Sequence, residues 1–223
     1  MMKDIPINNQ EVLDGLNNFL WMYDEREEIQ KNFRLHSQGA DKDYFTGDEY
    51  RDIIVKQDTQ HEGYPDEGRN YNMKPTQMEK GENPNPDYVA KAISNWSKYS
   101  GNLQNILCTR FNALTVLYPP NGFLSWHNNC NASAYNLVFS WSETGDSDFR
   151  YMDTETGDTV IMKDVKGWQC KAGYFGSYTD PWTQRVYHAA RTDCWRMTVS
   201  FMFDRSAMSE GIQDDVISEI MLK

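Results

Sequence analysis

The sequence predicts an α+β chain: a mainly antiparallel sandwich or jelly roll in the second half, supported by N-terminal helices and closed by a C-terminal helix. Three observations predict it. Helical spacing of apolar residues is confined to the first hundred residues and the last fifteen or so. Beyond Leu103, short runs rich in β-branched and aromatic residues recur between turn signals. With 39% apolar and 13% aromatic residues in 223, the chain can bury one sizeable core, which argues against a disordered polyelectrolyte.

The first helix is expected over Glu11 to Asn32, with Val12, Leu16, Phe19, Leu20, Met22 and Tyr23 at mostly helical spacing behind an Asn-Asn pair able to cap it. From His36 to Pro86 the pattern gives way to Asp, Gly, Asn and Pro, with breakers such as Gly63-Tyr64-Pro65 and Asn83-Pro84-Asn85-Pro86. A loop of that length is expected to be disordered or functional, for example a substrate lid. Asp87 then opens a second helix running to Tyr99, with Val89, Ala92, Ile93 and Trp96 on one face.

Strands are expected at Ile106 to Tyr118, Tyr135 to Trp141, Asp148 to Met152, Thr159 to Met162, Gly167 to Tyr174, Gln184 to His188 and Trp195 to Phe203. Turn signals stand at Pro119-Pro120-Asn121-Gly122, Glu143-Thr144-Gly145-Asp146 and Glu155-Thr156-Gly157-Asp158. A last amphipathic helix covers Ser209 to Met221. The organisation is therefore 1–102, helical support and substrate-side loop continuous with the core; 103–206, the β core; and 207–223, the C-terminal helix.

Lys and Arg number 22 against 33 Asp and Glu, a formal charge of −11. That balance makes nucleic acid an unlikely partner, because phosphate-binding surfaces are built from clustered cations. The start lacks a signal-type apolar segment, and no run approaches the ~20 apolar residues of a membrane span. A soluble, cytoplasmic protein without a membrane partner is expected. Cys108, Cys130, Cys170 and Cys194 form no C-x-x-C pair, so free thiols in strands are expected. Asn95-Trp96-Ser97 and Asn131-Ala132-Ser133 have the glycosylation pattern but nothing routing them to a secretory pathway. Oligomeric state is not legible.

Two of the four histidines sit at strand ends: His127 closing Tyr118–His127, and His188 closing Arg185–His188. In an antiparallel roll such positions can meet at one mouth. Iron(II) in oxygen-activating enzymes takes two neutral imidazoles and one oxygen ligand on a single face. Residues two apart on an extended segment point the same way, so His127 and Asn129 could both reach one ion, and His188 would complete the face. Arg196 lies eight residues beyond His188, where its guanidinium could clamp a carboxylate bidentately.

From Phe111 to Phe203 the sequence resembles the double-stranded β-helix core of iron(II)/2-oxoglutarate dependent dioxygenases of the AlkB and prolyl-hydroxylase types. The resemblance is carried by Tyr118 nine residues before His127, by His127-Asn128-Asn129 at the place of the family's His-x-Asp, by Asn136–Trp141 with Gly145 and Phe149, and by the ending from His188 to Arg196. It implies His127, Asn129 and His188 as metal ligands, and Arg196, Tyr118 and Thr198 as contacts of 2-oxoglutarate. Fe(II), 2-oxoglutarate and O2 would be the cofactor and co-reactants of an oxidoreductase, a hydroxylase acting on a protein side chain or small metabolite.

Asn129 departs from that pattern, since an amide oxygen is neutral and a weaker ligand than a carboxylate. Three explanations stand: Asn129 ligates through its carbonyl, a carboxylate from Asp146, Asp148 or Asp153 takes its place, or the position is vacated. The alternatives to the hydroxylase are a non-catalytic jelly-roll binding or structural protein, and an AlkB-like nucleic-acid demethylase. Arg191 rivals Arg196 but lies in a turn. Trp126, Trp141, Trp168, Trp182 and Trp195 are read as core more than pocket, and His36 and His61 as solvated.

Overall fold

A computed structural model describes residues 2–36, 39–109, 111–129, 133–203 and 210–222. In chain order the elements begin with β1 (Lys3–Ile5), α1 (Gln10–Asn17), α2 (Trp21–Asp24), α3 (Arg26–Asn32), α4 (Lys42–Phe45) and α5 (Asp48–Gln57). Then come β2 (Gly68–Arg69), β3 (Tyr71–Asn72), α6 (Pro86–Ile106), β4 (Phe111–Tyr118), β5 (Phe123–His127), β6 (Ala134–Ser142) and β7 (Ser147–Met152). The chain ends with β8 (Thr159–Lys163), β9 (Gly167–Phe175), β10 (His188–Thr192), β11 (Arg196–Phe203) and α7 (Glu210–Met221). The fold is α+β, with two antiparallel sheets ordered β1-β9-β6-β11-β4-β3 and β2-β5-β10-β7-β8.

Period-two alternation divides each strand between two environments. On β11, Met197, Val199 and Phe201 face the helices, joining Leu16, Phe19, Met22 and Leu103 in the main core. Arg196, Thr198 and Ser200 face the space between the sheets. There Val138 of one sheet packs with Phe149 and Tyr151 of the other. On the outer face of the five-stranded sheet, α5 lays Tyr50 and Ile54 over Trp126 and Tyr187.

The expected first helix is broken. Asn18 donates its side-chain amide to the Asp14 carbonyl at 3.0 Å, competing with the helix ladder, and a 3-10 turn over Asn18–Leu20 separates α1 from α2. The expected irregular stretch from His36 to Pro86 instead holds α4, α5 and the short strands β2 and β3. Asp41 caps α4, and α5 is held by burial of Tyr50 and Ile54, while of its other apolar residues Ile53 is exposed and Val55 partly buried, which leaves a weak periodic signal. The second helix is capped by Asn85, whose side chain accepts from Asp87 N and Tyr88 N, with Pro86 in the first turn. Asp87 is therefore inside the helix, where it is not the cap. The helix runs on to Ile106 because Leu103 and Leu107 are buried, so β4 starts at Phe111, not Ile106.

The expected strand ending at His188 is a correction of a different kind. Trp182–Gln184 forms a 3-10 turn, and β10 begins at His188, because the ladders with β5 and β7 both start opposite that residue. The turn at Pro119–Gly122 holds as read. Gly122 N donates to Pro119 O at 2.8 Å, Asn121 has φ +63°, and a Cβ on Gly122 would lie 2.7 Å from Pro119 O and from Tyr118 Cβ. Of the cysteines, Cys170 lies in β9, while Cys108 and Cys194 lie in turns; all three are free thiols. Cys130, Asn131, Ala132 and Ser209 lie outside the described residues. No helix among those residues is long and apolar enough to cross a membrane.

Candidate metal and anion site

β5 and β10 run antiparallel with His188 directly opposite His127, and their ring centroids are 4.2 Å apart. Each ring is fixed from behind. His127 Nδ1 donates to Ser125 O at 2.8 Å, and His188 Nδ1 donates to Val186 O at 3.1 Å. With Nδ1 committed as donor, Nε2 of each ring carries the free lone pair, the arrangement by which backbone carbonyls orient metal-binding imidazoles. Burial holds the His188 pKa down at about 4. Burial, then the proximity of His188, holds that of His127 well below the usual range. Both rings are neutral at physiological pH, as a ligand must be.

The two histidines line a cavity of about 820 Å³ between the sheets that also takes in Asn129, Tyr118, Arg196 and Thr198. All six sequence-predicted site residues are thus brought to one cavity. Its buried lining includes Val138, Phe149, Phe175 and Asn70, and its exposed lining His36, Glu62 and Tyr64. The segment from His36 to Glu79, expected as a loop, therefore supplies one wall.

Arg196, in the same lining, is 1% exposed. It pairs with Tyr118 across β4 and β11, and its guanidinium lies 5.3 Å from the Tyr118 ring centroid. Nε donates to Asp164 Oδ2 at 2.7 Å and Nη1 to Thr198 Oγ1 at 2.6 Å. Nη2 is buried and has no hydrogen-bond partner among the described residues. Nε serves Asp164 and Nη1 serves Thr198, so the donor without a partner, Nη2, is the one open to an incoming anion. The Thr198 hydroxyl is likewise engaged, orienting Arg196. Arg191, the rival cation expected in a turn, lies instead in β10, paired with Phe123 and Asp148, and is tied to Asp43 at 2.7 Å.

None of the three candidate replacement carboxylates lines the cavity. Asp146 accepts from the Thr144 hydroxyl in its turn, Asp148 receives two hydrogen bonds from Arg150, and Asp153 accepts from Glu155 N. Among the described residues no group of three or more His, Cys, Asp and Glu could hold a metal ion. The donors at the histidine end are therefore two imidazoles and, from Asn129, an amide. Of the other histidines, His36 is in the exposed lining. His61, expected solvated, is 4% exposed, because its Nδ1 accepts from Gly63 N at 3.1 Å and its carbonyl accepts from the Tyr178 hydroxyl. No tryptophan lines the cavity.

The sequence reading missed Asp164 and Lys171. Both side chains are 0% exposed and joined at 2.8 Å, and Asp164 also accepts from Ser147 Oγ at 2.9 Å. The available signal was a lysine between Cys170 and Ala172, at the inward-facing phase of a strand whose neighbours are buried.

No family model matches the sequence, and no curated protein does. Among solved structures, a prolyl-4-hydroxylase of Pseudomonas putida is 12% identical, with 80% of this chain and 96% of that one covered at a TM-score of 0.32. The viral collagen prolyl hydroxylase of Paramecium Bursaria Chlorella virus-1, in its 2OG complex, is 14% identical over 71% and 91% of the chains, TM-score 0.32. OsALKBH1 is 12% identical over 73% and 95%, TM-score 0.31. Likeness at this level says nothing of what this chain does.

Proposed function

We propose that the protein is an iron(II)/2-oxoglutarate dependent oxygenase built on a double-stranded β-helix, β4 to β11, and that it hydroxylates a protein side chain or a small metabolite. The observation that carries the reading is the His127–His188 pair, two neutral imidazoles from facing strands with Nδ1 anchored on backbone and Nε2 free. It supports a metal site because both rings, each with Nδ1 donating to a backbone carbonyl, carry their lone pair on Nε2 and line the same cavity. The β-helix reading is supported by the way β4, β5, β6 and β7 alternate between the two sheets, as β8, β9, β10 and β11 do again.

The donors suit iron(II) at two protein positions, and the amide of Asn129 would be the third, neutral where the resembled family has a charge. Iron(II), with 2-oxoglutarate and dioxygen as co-reactants, supplies an oxidation in which 2-oxoglutarate loses carbon dioxide to give succinate and a substrate C–H bond gains an oxygen. In this chain Arg196 Nη2 would receive the distal carboxylate, with Tyr118 covering the guanidinium face and Thr198 fixing its angle. The apolar wall of Val138, Phe149 and Phe175 would keep water from the reacting end.

Anaerobic addition of iron(II) and 2-oxoglutarate tests the reading. The oxygenase produces a visible charge-transfer band, and, on admission of air with substrate, succinate. A protein that shows no band, retains no metal and forms no succinate is a binding module on this scaffold instead. Succinate formed only with alkylated nucleic acid would point to the demethylase.

A further inference from the structure

We propose that Lys171, which does not line the cavity, sets the cavity's anion affinity by giving the buried Arg196–Asp164–Lys171 trio a net charge of +1 that an incoming carboxylate completes. The proposal rests on the oxygenase reading for the identity of the anion, and on the trio's own geometry for the charge.

Asp164 lies at the centre. It accepts from Arg196 Nε at 2.7 Å and from Lys171 Nζ at 2.8 Å, with the Ser147 hydroxyl adding a third hydrogen bond at 2.9 Å. One carboxylate thus answers two cations, and none of the three side chains is more than 1% exposed. Among the described residues neither cation is hydrogen-bonded to a second carboxylate. Burial by itself would push the Asp164 carboxyl up, but the guanidinium and the ammonium together hold it down at about 2, so its negative charge is firmly in place. Burying an uncompensated charge is costly. The donor open to an anion is Arg196 Nη2, buried and without a hydrogen-bond partner among the described residues, on a residue that lines the cavity.

If a balanced pair were all that positioning required, Asp164 and Arg196 would suffice and the inward site on β9 could be apolar. Lys171 converts that neutral pair into a cationic group. Its ammonium lies 2.8 Å from the carboxylate that Arg196 also binds, among side chains buried from solvent, where one unit charge is worth roughly tenfold or more in binding.

The test is a titration of the full-length protein with 2-oxoglutarate under anaerobic conditions in the presence of manganese(II), alongside melting of the unliganded protein, for wild type, Lys171→Met, Lys171→Gln and Arg196→Met. The expected result is that Lys171→Met and Lys171→Gln bind roughly ten times more weakly while the unliganded variants melt no lower than wild type. Binding within threefold of wild type in both Lys171 variants, when Arg196→Met has lost it, overturns the role of Lys171 and leaves the oxygenase reading standing. Weakening accompanied by a lower melting temperature in both Lys171 variants means a structural role only and also overturns it. Should wild type fail to bind, or Arg196→Met bind equally well, the oxygenase reading falls and this proposal with it.

Discussion

Replacing Asp164 with Asn should destabilise the protein more than any conservative surface change, and its cost can be worked from the contacts. The amide keeps the shape but not the charge, so Arg196 and Lys171, both fully buried, lose their shared counter-ion. Removing one partner of a buried pair typically costs about 3 to 5 kcal/mol. At roughly 2 to 4 °C per kcal/mol for a chain of this length, the melting temperature should fall by roughly 6 to 20 °C. Urea unfolding at pH 7 measures the same quantity as a lowered midpoint with an unchanged slope.

A second signature belongs to the charge itself. The folded-state pKa of Asp164 is depressed from 3.8 to about 2, which corresponds to roughly 2.5 kcal/mol. A depressed carboxyl contributes stability that is fully present above 3.8 and lost as the pH falls through about 2. Wild type should therefore lose this increment between pH 4 and 2, and Asp164→Asn should not. The difference between the two unfolding free energies should shrink by about 2 kcal/mol over that interval. A variant that loses less than about 1 kcal/mol at neutral pH, or whose acid profile runs parallel to wild type, would refute the reasoning.

Three further outcomes are expected. Asn129→Asp should raise the affinity for manganese(II) or iron(II) at least tenfold, about 1.4 kcal/mol, measured as metal retained after anaerobic desalting; unchanged retention would mean that residue 129 does not ligate. His127→Ala and His188→Ala should each abolish retention of metal while the far-ultraviolet circular dichroism stays that of wild type, and metal bound by either variant would remove the imidazole pair from the site. Asn9→Ala should cost about 1 kcal/mol, seen in thermal unfolding, because Asn9 caps α1 through Glu11 N and Val12 N and also donates to the Glu219 carbonyl of α7 at 3.0 Å.

What could be read from the sequence divides along physical lines. The strands from β6 to β9 were legible because runs of β-branched and aromatic residues stand between turns that need particular residues, such as Gly145 at φ +98° and Gly157 at φ +78°. The order of Tyr118, His127, His188 and Arg196 was legible through the resemblance to the dioxygenase core, and the cavity lining includes all four. The α5 helix was not, since its stability comes from two buried residues, Tyr50 and Ile54, meeting Trp126 and Tyr187 far along the chain, a tertiary effect that overrides local composition. The start of β10 was misplaced for a related reason: Val186 and Tyr187 have strand character, but their backbone has no ladder beside it. Asp164 and Lys171 escaped because a polar residue buried between two sheets is recognised by what stands opposite it, and register is not written in one strand.

The formal charge of −11 looks unsuited to a dianionic co-reactant until the charges are sorted by depth. Among the described residues the buried acids are Asp164 and Asp180, whereas the buried bases are Arg51, Arg150, Lys171 and Arg196. Arg51 and Arg150 answer partly exposed aspartates on the outside of the five-stranded sheet. Lys171 and Arg196 share Asp164 beside the cavity, and the excess positive charge is concentrated there. The surface acids repel an approaching dianion over distances that salt screens within about 10 Å at 0.1 M. The trio acts at contact, in an interior that salt does not reach. Raising the ionic strength should therefore speed the association of 2-oxoglutarate and leave its dissociation rate unchanged, the reverse of a site held by exposed cations, where added salt slows association. Stopped-flow association measured at two salt concentrations distinguishes the two: slower association in high salt would mean that surface cations, not the buried trio, draw the anion in.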